Sequence, residues 1–267
     1  MTARVLLIAG SDSGGGAGIQ ADLKTVTALG AYAATALTAL TAQNTLGVHG
    51  IVPVDPAFVA LQMRVVLEDI GAGALKTGML HSRAVIEAVV ETARAHAKGV
   101  PLVADPVMVA KGGASLLQPD AVAAVREVLF PAAFVVTPNL PETEAILGTT
   151  VADVTAMRRA ARSLCELGAR AALVKGGHLP GDALVDVLFS RDDGEHLFEG
   201  ERIHTTSTHG TGCTLASAVA AGLAAGMPLP AAVDRARRYV RAALLAAPGL
   251  GKGHGPLGHG HTVRPFE

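Results

Sequence analysis

Two observations predict an α/β fold with a mostly parallel sheet covered by helices on both faces. Short, almost wholly apolar runs alternate with longer segments of helical periodicity, and several of those runs end in polar or glycine residues unsuited to a core. Parallel strands buried on both faces read as continuous apolar runs, and in open α/β sheets the ligand crevice lies beyond their carboxyl ends. Arg4–Ala9 (RVLLIA) reads as the first strand; it runs into the loop Gly10-Ser11-Asp12-Ser13-Gly14-Gly15-Gly16 and then into the helix-like AGIQADLKTVTALG. Residues 56–70 and 82–98 are predicted helices, and Ala74–Thr77, Leu102–Ala104, residues 134–137 and Ala171–Lys175 buried strands. No internal repeat, linker or low-complexity insert interrupts the alternation, which predicts one domain over residues 1–267.

Half of the 267 residues are hydrophobic, enough for a large core. Lys+Arg 22 nearly cancel Asp+Glu 23, and aromatics make up only 3%, so neither phosphate-backbone tracking nor base stacking has material and nucleic-acid binding is not expected. Two cysteines far apart, with no signal peptide, argue against a disulfide framework and for the cytoplasm. The uncharged stretch 211–233 is Ala- and Gly-rich and broken by Pro228 and Pro230, which predicts a buried helix followed by a turn rather than a membrane span.

The run Thr205-Thr206-Ser207-Thr208-His209-Gly210-Thr211-Gly212-Cys213 carries the most chemistry. A glycine turn feeding a helix start concentrates backbone N–H groups and the positive dipole end, which makes an anion cradle. Cys213 at that mouth is either a small packed residue or a thiol whose pKa the helix start depresses. Beyond the strand ends lie Asp105 and the run Thr137-Pro138-Asn139-Leu140-Pro141-Glu142, where acids either cap the next segment or hold a hydrated magnesium ion. Lys175-Gly176-Gly177-His178 offers a phosphate clamp or a solvated lysine. Gly16-Ala17-Gly18-Ile19-Gln20-Ala21 fits the loose GxGxxG/A pattern, but no ribose-binding acid appears before Asp55, and no GxxxxGK(S/T) occurs anywhere, so neither a dinucleotide fold nor a P-loop is expected. His254, His259 and His261, isolated by glycines, read as a loop.

Taken in order, the segments 9–22, 38–45 (TALTAQNT), 105–108 (DPVM), 138–142 (PNLPE), 174–178 (VKGGH) and 209–213 (HGTGC) resemble the bacterial hydroxymethylpyrimidine and phosphomethylpyrimidine kinases of the ribokinase-like family. The resemblance runs from about residue 4 to the tail Gly251-Lys252-Gly253-His254-Gly255-Pro256-Leu257. It implies a three-layer α/β/α sandwich that phosphorylates 4-amino-5-hydroxymethyl-2-methylpyrimidine and its monophosphate with ATP and Mg2+ in thiamine biosynthesis, as a homodimer. Gln43 stands where the family binds the pyrimidine, and a carboxamide can both donate to a ring nitrogen and accept from the adjacent amine. Gly10, Asp12, Ala17, Asp22, Met79 and Val107 would line that pocket. Asn139, Lys175, Thr206, Thr208, Gly210 and Gly212 would hold the nucleotide, and Asp105 and Glu142 the metal. The N–H groups of Gly210 to Cys213 would hold the transferring group while Cys213 takes the hydroxyl proton, with Lys175 as the clamp. The stretch Ala110 to Leu117 departs from the family, which has Ser, Gly and Asp after the lysine; glycines there predict a more mobile flap over Lys111 to Ser115. A pyridoxal or pyridoxine kinase on the same fold is the rival reading, and a catalytically silent sensor a second; Gln43 favours the aminopyrimidine.

Overall fold

The computed structural model describes residues 2–108 and 120–263, so the flap over Lys111 to Ser115 lies outside the described residues. Its strands are β1 (Arg4–Ala9), β2 (Tyr32–Leu37), β3 (Ala39–Asn44), β4 (Gly47–Pro53), β5 (Ala74–Thr77), β6 (Leu102–Ala104), β7 (Val135–Val136), β8 (Ala171–Lys175), β9 (Ala183–Ser190) and β10 (Gly194–Glu201). The helices are α1 (Gly18–Ala28), α2 (Pro56–Asp69), α3 (Arg83–His96), α4 (Ala121–Ala124), α5 (Phe130–Ala132), α6 (Leu140–Leu147), α7 (Val154–Glu166), α8 (Thr211–Ala224) and α9 (Leu229–Leu245). Each predicted strand and helix forms where its pattern placed it, except that the strand expected over 134–137 shortens to β7.

An eight-stranded sheet runs in the order β10-β9-β8-β7-β6-β5-β1-β2. Pairing is parallel from β2 to β8, while β9 and β10 are antiparallel. Alternation along β1 builds the layers. Leu6 and Ile8 pack with Val59 and Met63 of α2, Val85 and Val89 of α3 and Met157 of α7. Val5, Leu7 and Ala9 face the other way, onto Ile19 and Val26 of α1, Val219 of α8 and Val233 of α9. Each such buried Val, Leu, Ile or Met side chain contributes roughly 1.5–3 kcal/mol, and the result is a three-layer α/β/α sandwich.

The stretch 211–233 resolves into α8, whose residues Thr214 to Gly222 are buried, then a turn and the start of α9. Among the described residues no helix is long and apolar enough to cross a membrane. β1 is flanked by β2 and β5, so chain direction across the sheet reverses between β1 and β5. A crevice opens beyond strand ends at such a reversal, and Gly10 after β1 and Gly78 after β5 line it. The antiparallel pair β3–β4 stands apart from the main sheet and reaches over this crevice.

Candidate active site

One cavity of about 1500 Å³ takes in the ends of β1, β5, β6 and β8, the start of α8 and the hairpin β3–β4. One end of it is made by backbone. Gly210 caps α8 with φ of 81°, and a Cβ there would overlap the Gly16 carbonyl oxygen, so only glycine can bring the turn this close to the first loop. The first N–H groups of α8 have no acceptor within the helix; that of Thr211 donates back to the Thr208 carbonyl at 3.4 Å, and those of Gly212 and Cys213 point to the helix mouth where an anion can bind. Gly212 has no side chain in the way of Lys175, whose Nζ lies 3.2 Å from where that Cβ would be.

Lys175, at the end of β8, donates to Asp105 Oδ1 at 3.0 Å, and Thr137 Oγ1 reaches the same oxygen at 3.2 Å. Burial works against the lysine charge, but Asp105 and Glu142 hold its pKa above the ordinary value. Asn139 and Glu142 form a capping box at the start of α6, so the capping alternative holds for Glu142. Glu142 is also part of the acid pair: burial, with Asp105 beside it, pushes its carboxyl up to about 7 against the pull of Lys175. Asn139 lines the cavity although its carboxamide oxygen is committed to the cap. Thr206 and Thr208, expected to hold the nucleotide, line the cavity together with Leu215, Val240 and Leu244. Arg202, which the sequence did not single out, ties down the carbonyls of Gly177, Leu179 and Gly181 at its mouth.

Two expectations are corrected. Cys213 does not have a depressed pKa: burial pushes its thiol up to about 12, Asp22 and Asp105 act in the same direction, and Lys76 opposes them. Desolvation outweighs the helix start even though Cys213 is only half-buried and lines the cavity. Asp22 does not line the pyrimidine pocket. It is fully buried, accepts Lys76 Nζ at 2.8 Å on both oxygens, and accepts Ser217 Oγ at 2.7 Å. Ser217 is one helical turn beyond Cys213 on α8, so the Lys76–Asp22 pair forms a charged floor below the cradle. Neither position carries a sequence signal that separates a buried ion pair from a pocket residue.

The opposite end is made by side chains. Gly10, Asp12, Ala17, Met79, Val107 and Gln43 line the cavity there. Register shifts between Ala42 and Gln43, a bulge of the kind that re-aims a side chain toward a site. Ser13 Oγ donates to the Gln43 carbonyl and accepts from its N–H, which fixes the bulge to the glycine loop. Asp12 is almost fully buried and accepts from the N–H groups of Gly14, Gly16 and Ala17 and from His209 Nε2 at 2.8 Å. Thr41 and His209, each within 3.5 Å of the Gln43 carboxamide, were not picked out from the sequence. Thr41 sits two residues before Gln43 on one strand, and that spacing was the available signal. In the C-terminal segment His259 is buried against Thr214 Oγ1 and His261 packs on the Tyr239 ring.

A parallel sheet with a helix-capped anion cradle facing strand-end acids and a lysine defines a ribokinase-like small-molecule kinase. Comparison with known proteins agrees: the family profile described as phosphomethylpyrimidine kinase matches residues 12–258, and the chain belongs to that family. It is 51% identical over 264 residues to the hydroxymethylpyrimidine/phosphomethylpyrimidine kinase of Rhizobium meliloti, covering 98% of each chain. It is 54% identical over 257 residues to the thiamine biosynthesis bifunctional protein of Geobacter sulfurreducens, covering 96% of this chain and 52% of that one, so it spans about half the length of that relative. Among solved structures, an ADP complex of Bacillus subtilis pyridoxal kinase superposes with a TM-score of 0.89 at 38% identity, over 97% of this chain and 98% of the other.

Proposed function

We propose that this protein transfers the γ-phosphoryl group of ATP to 4-amino-5-hydroxymethyl-2-methylpyrimidine and then to its monophosphate, supplying the pyrimidine diphosphate for thiamine biosynthesis. The observation that carries the reading is the placement of Gln43 and the Gly210–Cys213 cradle in one cavity, with His209 between them. The names of the relatives and the ADP-bound neighbour support it. A carboxamide at one end orients the ring, and the cradle at the other receives the phosphoryl group, so the hydroxymethyl group is held between them.

Asp105 and Glu142 fit a magnesium ion. The two acids line the same cavity close enough for Asp105 to act on the Glu142 carboxyl, and Mg2+ is commonly bound through one or two carboxylates, waters and substrate phosphates rather than by an all-protein cage. When bound, the ion supplies neutralisation of the developing phosphate charge. Lys175 adds a fixed cation beside Asp105, and the first-turn N–H groups of α8 receive the transferring group.

Because burial keeps the Cys213 thiol protonated, the step assigned to it is an exchange. Sulfur takes the proton of the acceptor hydroxyl while the thiol proton passes to an oxygen of the arriving phosphoryl group, leaving the charge at sulfur unchanged. Such a late transfer suits a loose transition state, in which the acceptor oxygen becomes acidic only as its new bond to phosphorus forms. Cys213→Ala is expected to lower kcat about 100-fold, with Cys213→Ser between it and the parent, because serine keeps an exchangeable proton. Undiminished turnover by Cys213→Ala would remove the residue from the chemistry.

The reading extends to a single kinase domain acting in the cytoplasm as a homodimer. Exposed Leu40 and Val52 on the hairpin and Phe58, Leu61 and Val65 on α2 support the dimer. ADP release measured with the pyrimidine, its monophosphate and pyridoxine tests the assignment. Release with the first two supports it; release with pyridoxine alone makes the chain a pyridoxine kinase, and none with any acceptor leaves a sensor.

A further inference from the structure

We propose that Thr41 and His209 are positioning residues that lock the Gln43 carboxamide in one orientation, so that the site selects a ring with an exocyclic donor beside an acceptor nitrogen. The inference rests on the reading that Gln43 faces the pyrimidine, and it adds what decides the hydrogen-bond polarity of that contact.

The argument is one of counting donors. Asp12 accepts three backbone N–H groups in addition to His209. Burial alone would raise its pKa, but the His209 and Ala17 hydrogen bonds overcome this and hold it below the ordinary carboxylate value. It is therefore an ionised acceptor, and His209 Nε2, 2.8 Å from Oδ2, must be an N–H donor. That nitrogen has no lone pair left for a second partner.

Gln43 Nε2 lies 3.4 Å from the same His209 nitrogen, and Gln43 Oε1 lies 3.2 Å from Thr41 Oγ1. Two donors then face each other at His209. The single Thr41 hydroxyl proton is drawn to the Ser11 carbonyl at 2.8 Å, which can only accept, so Thr41 offers lone pairs to Gln43. Two oxygens thus meet at the other end. A half-turn of the carboxamide about χ3 resolves both conflicts at once, setting oxygen against the His209 N–H and nitrogen against the Thr41 oxygen. Both neighbours demand the same polarity, and the half-buried carboxamide keeps one N–H and one oxygen lone pair for a ligand.

A 4-aminopyrimidine matches that pair. Its 4-oxo analogue, with an acceptor oxygen beside a ring N–H, presents the reverse. A wrong pairing strands buried polar groups and lowers kcat/KM by about tenfold to a hundredfold.

The test is the ratio of kcat/KM for the amino and 4-oxo hydroxymethylpyrimidines, measured with Thr41→Val, His209→Ala, His209→Gln and Gln43→Ala, with folding checked by thermal melting. Thr41→Val and His209→Ala are expected to shrink the ratio about tenfold by raising KM for the amino substrate and lowering it for the oxo analogue. The KM for ATP should stay unchanged, and His209→Gln, which keeps a donor, should recover part of the ratio. Equal losses on both substrates would make the two residues merely structural and overturn the inference. Collapse of the ratio in Gln43→Ala alone would overturn the inference while leaving the role of Gln43 standing. An unchanged ratio in Gln43→Ala would overturn that role and the inference together.

Discussion

The two ends of the cavity are built on different principles. The cradle at the start of α8 is backbone geometry set into the core: residues Thr214 to Gly222 are buried behind it, and the Lys76–Asp22 pair lies beneath it with no exposed surface. The hairpin β3–β4 belongs to no larger sheet, and apart from Ala39 its residues are half-buried or exposed. Local ties hold it: Ser13 and Thr41 to the first loop, and Thr45 to the tail through the N–H groups of Lys252, Gly253 and His254. On the proposed function, the part that would handle the phosphate is welded to the fold, whereas the part that would read the ring is an attachment. Damage to the first should unfold the protein, and damage to the second should change what it binds.

The largest effect is expected from Lys76→Met. It leaves Asp22 buried without its cation and should lower unfolding free energy by about 3–5 kcal/mol in a denaturant titration. Adding Asp22→Asn should recover much of that loss; if the single variant is as stable as the parent, the cradle does not depend on its charged floor.

A smaller effect is a pH dependence. Burial of His259 against α8 pulls its pKa down to about 4 from the ordinary 6.5. Between those values the unfolded chain binds the proton and the folded one does not, so stability falls as pH drops through that window. From pH 7 to pH 5 the group removes about 2 kcal/mol, and His259→Gln should flatten that slope. An unchanged slope would separate the tail from the core beneath the cradle.

The smallest effect is expected from Gly253→Ala. A Cβ there would overlap the Thr45 carbonyl oxygen at the hairpin turn. The KM for the pyrimidine should rise about tenfold, equivalent to about 1.4 kcal/mol. The melting temperature and the KM for ATP should stay within error. A fall in melting temperature instead would show that the hairpin is as integral as the cradle, and would end the contrast.

The contrast also explains what could be read from the chain. β1, β5, β6 and β8 were legible because strands buried on both faces leave unbroken apolar runs, and the polar residues at their ends marked the crevice. The cradle was legible because its glycines and its helix are contiguous. β3 and β4 were not legible as strands, since a half-exposed hairpin with Gly47, Gly50 and a bulge has no clean period. The loop held by Arg202 escaped for a different reason: the arginine lies more than twenty residues from the carbonyls it binds.

Contiguous residues and their periodicity therefore determined, from the sequence alone, the layered fold, the anion cradle and the strand-end positions of Asp105, Glu142 and Lys175, whereas Gln43 was singled out only by the resemblance of its segment to the kinase family. Only the tertiary structure decided that Cys213 is a protonated thiol, that Asp22 is half of a buried ion pair, and that His209 reaches both Asp12 and Gln43. Those properties depend on burial and on distances between residues up to 197 positions apart, which no local pattern encodes.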